Sequence, residues 1–108
     1  MTREEALAGH RKLWNEIADM IERGEKYDTA IGYKIAALIR INEVLVLKNR
    51  CYLCEYAVCC KNCPIEWYSE DCADAKYEDF IISVSRANYT QAAILARTIA
   101  NLPERVVE

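Results

Sequence analysis

Six cysteines fall between Cys51 and Cys72, and the remaining 86 of the 108 residues hold none. Clustering this tight marks one local site, not a framework of cross-links spread over a fold. The rest of the chain must supply its own core. A composition of 53% hydrophobic and 29% charged residues is that of a globular chain, and its length suits a single small domain. No apolar run approaches the roughly 18 residues needed to cross a bilayer. The start, Met1-Thr2-Arg3-Glu4-Glu5, is polar and acidic. These features predict a soluble, unexported protein without a membrane partner. In such a setting thiols stay reduced and a disulfide framework is disfavoured.

The cysteines read Cys51-Tyr-Leu-Cys54, then Cys59, then Cys60-Lys-Asn-Cys63-Pro64, and last Cys72. In a C-x-x-C pair the two intervening residues form a knuckle that aims both sulfurs at one point. Four thiolates at about 2.3 Å make a closed zinc site. Only five residues separate Cys54 from Cys60, where a zinc ribbon uses about 15 to 20. Cys72 relieves that constraint by closing a larger loop. The candidate ligands for one Zn²⁺ are therefore Cys51, Cys54, Cys60, Cys63 and Cys72, with Cys51 and Cys54 in every set of four. An iron–sulfur cluster uses the same thiolates, but only the Cys63-Pro64 step matches its spacing rules. A thioredoxin-like role for Cys51 and Cys54 lacks the βαβ surroundings it requires.

An all-sulfur site leaves no open coordination position and no activated water, so no enzyme is expected. The His-x-Glu element of zinc deaminases is absent. His10, the sole histidine, lies on an apolar stripe and reads as a buried structural residue.

Around the cysteines the periodicity is helical. Thr2-Arg3-Glu4-Glu5 is a capping box. Leu7, His10, Leu13, Trp14, Ile17, Met20 and Ile21 then recur at three- and four-residue intervals, predicting a helix over 3–23 that stops at Gly24. Ile31, Ile35, Leu38 and Ile39 trace a face of a second helix near 29–41. Val44-Leu45-Val46-Leu47 suits a short strand or extended segment. Tyr77, Phe80, Ile81, Val84 and Ala87 fit a helix over 74–87. Asn88 with Gln91 reads as a fresh N-cap and its box partner. The last helix then covers 89–101, burying Ala92, Leu95, Ala96 and Ile99 and stopping at Pro103.

The expected fold class is mainly α. About four helices surround a small irregular zinc-knuckle module, with one short β element. A single domain spans 1–108, comprising a helical half 1–50, the cysteine module 51–72 and a helical pair 73–103. In so small a domain the metal is expected to supply much of the folding free energy, on the order of 10 kcal/mol by analogy with zinc-finger peptides, and its removal to unfold the chain.

Charge bears on partners. Residues 1–50 carry nine bases against eight acids, and residues 51–108 carry five against nine. No Lys/Arg stripe exists to displace counterions, which disfavours nucleic acid. Glu66, Glu70, Asp71 and Asp74, with Trp67 among them and Glu78 and Asp79 beyond, form an acidic group suited to docking a basic protein surface. Two alternatives stay open. One is a nucleic-acid module using Tyr52, Tyr56 and Trp67 with Lys48, Arg50 and Lys61. The other is a sponge for a nucleotide signal, although no phosphate cradle marks it. The apolar excess of the second and last helices is compatible with a dimer.

Three stretches carry a resemblance: Thr2-Arg-Glu-Glu-Ala-Leu-Ala-Gly-His-Arg-Lys-Leu-Trp-Asn-Glu-Ile-Ala18, Cys51-Tyr-Leu-Cys-Glu-Tyr56 with Cys60-Lys-Asn-Cys-Pro-Ile-Glu-Trp67, and Ala92-Ala-Ile-Leu-Ala-Arg-Thr-Ile-Ala-Asn-Leu-Pro103. In these the chain resembles small cysteine-rich proteins of tailed phages and prophages of Gram-positive bacteria. The stretches cover under half of the sequence, and the group has no assigned activity. The resemblance implies a context: an accessory phage protein in the host bacterial cytoplasm, binding and disabling a host or anti-phage defence protein.

Overall fold

The first helix begins where two backbone amides find side-chain acceptors. The Glu5 N–H donates to the Thr2 hydroxyl at 3.1 Å, and the Thr2 N–H donates to the Glu5 carboxylate at 2.9 Å. In this computed structural model, which describes residues 2–41 and 76–104, the box opens α1, Arg3–Glu22. Three more helices follow: α2, Ala30–Arg40; α3, Lys76–Ser85; and α4, Tyr89–Ala100. The mainly helical expectation holds, and no strand forms among the described residues. The suggested β element at Val44–Leu47 and the module 51–72 lie outside them.

Helix α1 buries the whole expected stripe, Leu7, His10, Leu13, Trp14, Ile17, Met20 and Ile21. It packs chiefly against α4, whose buried face is dominated by small side chains, Ala92, Ala93, Ala96 and Ala100, beside Leu95 and Ile99. Small residues let the two backbones approach closely. Helices α2 and α3 complete the core. Aromatic rings of α1, α2, α3 and the turn before α2 form a chain of edge-on contacts: Tyr27 to Tyr33 at 5.1 Å, Tyr33 to Phe80 at 6.4 Å, Phe80 to Trp14 at 5.0 Å, and Trp14 to Tyr77 at 5.8 Å. Edge-to-face pairs align the positive ring edge with the negative face, adding about 1 kcal/mol each beyond area burial.

Helix α2 departs from expectation in which face it buries. Thr29 caps it, accepting from the Gly32 N–H at 3.0 Å. Gly32 sits so close to Thr29 and Tyr27 that a Cβ there would lie 3.2 and 3.3 Å from their atoms, so the glycine fits the cap instead of weakening the helix. The buried residues are Ala30, Tyr33, Lys34, Ala37 and Leu38, whereas Ile31 and Ile39 are 51% and 56% exposed. The aromatic Tyr33 wins the inner face because it reaches Phe80 and Tyr27.

Helix α3 ends two residues earlier than its apolar pattern suggests. Ala87 adopts a left-handed φ of 56°, which no helix continues. Asn88 caps α4, accepting from the Gln91 N–H at 3.3 Å. Its own N–H donates to the Ser83 carbonyl at 2.8 Å, so Gln91 is not needed as the return partner.

Candidate functional site

Cys51, Cys54, Cys60, Cys63 and Cys72, the expected zinc ligands, lie outside the described residues, as do Glu66, Trp67, Glu70, Asp71 and Asp74. Among the described residues no group of three or more His, Cys, Asp or Glu side chains is placed to hold a metal ion. What the structure describes is the base formed by the two helices that flank the cysteine segment in sequence.

That base is the contact of α2 with α3. Lys34, 8% exposed, donates through Nζ to the Tyr77 hydroxyl at 3.2 Å and lies 4.7 Å from the centre of the Tyr77 ring. Tyr77 is the second residue of α3, and Lys34 lies six residues before the end of α2. Six residues of helix rise about 9 Å. The end of α2 thus lies somewhat under two turns along the helix from the level at which Lys34 meets the start of α3. Sequence periodicity did not single out Lys34, and a lysine set among the apolar residues of α2 is the signal that points to such a buried contact. Two residues of the expected acidic group are described. Glu78 and Asp79 are exposed in the first turn of α3, where a helix N-terminus favours negative charge.

His10 is buried, as its place on the α1 stripe implies. It is 1% exposed and its Nε2–H donates to the Ile99 carbonyl at 2.8 Å, bridging α1 to α4. Burial pushes its pKa down to about 4, against a smaller opposing effect of that hydrogen bond. At neutral pH the ring is therefore uncharged.

The remaining polar contacts tie elements together. Arg97 of α4 reaches across to α1, donating to Asn15 Oδ1 at 2.9 Å, to Glu22 at 3.1 Å and to Asp19. At the same C-terminal end of α1, Arg40 and Arg23 converge on Glu25, and Arg23 also pairs with Glu16 at 3.2 Å. The Arg40 guanidinium holds the Glu25 carboxyl below its ordinary value, so it stays ionised and paired at neutral pH. These groups act as clamps between helices.

Comparison with known protein families, with curated proteins and with solved structures yields no match to this chain. None of the described helices is long and apolar enough to span a membrane.

Proposed function

We propose that this chain is a non-enzymatic binding protein. Its helical scaffold carries a zinc module whose acidic flank docks on a host protein and inhibits or modulates it, in the setting of a phage-infected bacterial cytoplasm. The observation that supports this most is the contact between the two helices that flank the cysteine segment in sequence. Ile41 closes α2 and Lys76 opens α3, and these two helices pack on each other, which suits a base for a module between them in sequence. Within that segment the donor chemistry is thiolate alone. Cys51 and Cys54 supply one knuckle, and Cys60, Cys63 and Cys72 supply the remaining ligands, a set suited to a structural Zn²⁺. Exposed Glu78 and Asp79 continue the acidic run of Glu66, Glu70, Asp71 and Asp74, around Trp67, onto α3. Charge-led docking of this kind gives fast, salt-sensitive association.

Two measurements on one preparation test the reading. Elemental analysis by mass spectrometry is expected to find one zinc per chain and no iron. A complex recovered from host lysate is expected to dissociate with added salt. It is also expected to be lost in a Glu70→Lys, Asp71→Lys, Asp74→Lys variant that keeps its metal. Metal-free protein, or a complex indifferent to the charge reversal, overturns the proposal.

A further inference from the structure

Helix α2 has two apolar faces and buries the one that carries a charge. Inside lie Ala30, Tyr33, Lys34, Ala37 and Leu38; outside, Ile31 and Ile39 are more than half exposed and Ile35 between them is partly exposed. The Lys34 ammonium has three donors. Its hydrogen bond and its ring contact are both with Tyr77, and no carboxylate among the described residues pairs with it. A desolvated cation without a counter-charge costs stability, while isoleucines left in water forgo the gain of burial. Both penalties have one remedy. At about 100° per residue, a roll of α2 by roughly 130° about its own axis turns the isoleucine row inward and carries Lys34 to solvent. Leu38 lies between the two faces and stays buried in either position.

We infer that α2 is a two-position element, with the described register as its resting state and the rolled register as a minor one. Tyr33 holds the resting position. It is fully buried, sets its ring against Phe80 and donates through its hydroxyl to the Glu25 carbonyl at 2.9 Å. Arg40 holds it too, paired with Glu25 and 3.9 Å from Glu16, and a roll breaks these contacts. A state held back by a few such contacts is populated at about 0.1–10%. The roll parts Lys34 from Tyr77 and so loosens the grip of α2 on α3, the two helices that flank the cysteine segment in sequence. It involves no metal and is independent of the proposed function.

Acetylation of lysine amines on the full native chain, mapped by mass spectrometry, reads the roll, with exposed Lys12 as internal reference. Lys34 is expected to react about 10- to 1,000-fold more slowly than Lys12, the inverse of the minor population. Low urea is expected to leave that rate unchanged, because the roll exposes little new surface. A double variant, Ile31→Gln with Ile39→Gln, alters side chains exposed in the resting register, so its urea midpoint is expected to match wild type. Its Lys34 rate is expected to fall about tenfold or more, since both isoleucines are buried only in the rolled form. A Lys34 rate equal to that of Lys12, or unchanged in the variant, shows that the reagent reaches the amine in place and overturns the inference. A rate that climbs with urea in step with global unfolding overturns it as well. So does a variant that unfolds at lower urea, because the row is then already covered in the resting state.

Discussion

His10 shows how one residue makes folding depend on pH. Its ring is buried between α1 and α4 and titrates near 4, whereas an exposed histidine titrates near about 6.5. Above about pH 6.5 neither folded nor unfolded chain carries the proton, and stability is unaffected by this group. Between about 6.5 and 4 the unfolded chain binds a proton that the folded chain refuses, so stability falls as the pH falls through that window. The difference in pKa corresponds to about 3 kcal/mol at most, a large share of the stability of a small domain. Below about 4 the loss is complete. Urea unfolding of wild type and His10→Gln at about pH 7.5, 5.5 and 4.5 checks this, since the amide retains a donor toward Ile99 without titrating. Wild type is expected to lose stability relative to the variant at each step. The carboxylates, Glu25 among them, titrate in both proteins and cancel in the comparison. Parallel curves for the two proteins would contradict the assignment.

At the scale of elements, two helices end by the same device with different residues. After α1, the Gly24 N–H donates to Ile21 and the Glu25 N–H to Met20, both at 3.0 Å, with Gly24 at a φ of 88°. After α3, the Ala87 N–H donates to Val84 at 3.0 Å and the Asn88 N–H to Ser83 at 2.8 Å, with Ala87 at 56°. Both are the paired bonds that satisfy a helix's last carbonyls around a left-handed residue. Alanine bears a steric cost there that glycine does not, and Ala87 is exposed, so nothing is lost from the core by removing its methyl. Ala87→Gly is expected to raise stability by about 0.5 to 1 kcal/mol after the added freedom of the unfolded chain is counted. Gly24→Ala is expected to lower it by about 1 kcal/mol. Thermal melts of both check the pair, and opposite signs are the required outcome. The same comparison explains what was legible. Gly24 announces a stop because glycine favours positive φ, while Ala87 extends the apolar pattern of its helix and conceals one. The stripes of α1 and α4 were readable because polar residues interrupt them at helical spacing. In α2 apolar residues occur on every side, so periodicity names a face without saying which one is inner. That depended on Tyr33 finding Phe80 and on Lys34 finding Tyr77, contacts made by residues more than 40 positions away. The cysteines were legible as chemistry for the opposite reason, since C-x-x-C spacing is local. The base beneath them depends on which helices pair, and no short motif records that.

For the whole molecule, the described core changes the expected result of removing zinc. Zinc-finger peptides depend on metal for about 10 kcal/mol because they have almost no core of their own. Here all four helices contribute to one buried cluster that includes Leu13, Trp14, Ile17, Tyr33, Phe80 and Ile99, all of them outside the cysteine segment. The proposed metal would then act on the bundle chiefly through chain entropy. Linking Cys51 to Cys72 leaves about 14 free residues of the 34 between Ile41 and Lys76, counting 42–51 and 72–75. The logarithmic cost of loop closure makes that worth only about 1 kcal/mol to the bundle. In a domain of this size such a loss lowers the melting temperature by about 4 to 8 °C. A strong chelator at neutral pH is therefore expected to release one zinc and expose cysteine thiols to a colorimetric reagent. Most of the helical circular dichroism should be kept, with a melting point lower by several degrees. Complete loss of helical signal on chelation would show that the metal organises the whole fold and not one segment of it. Thiols fully reactive before chelation, with no metal released, would remove zinc from the account and leave the bundle to stand on its buried core.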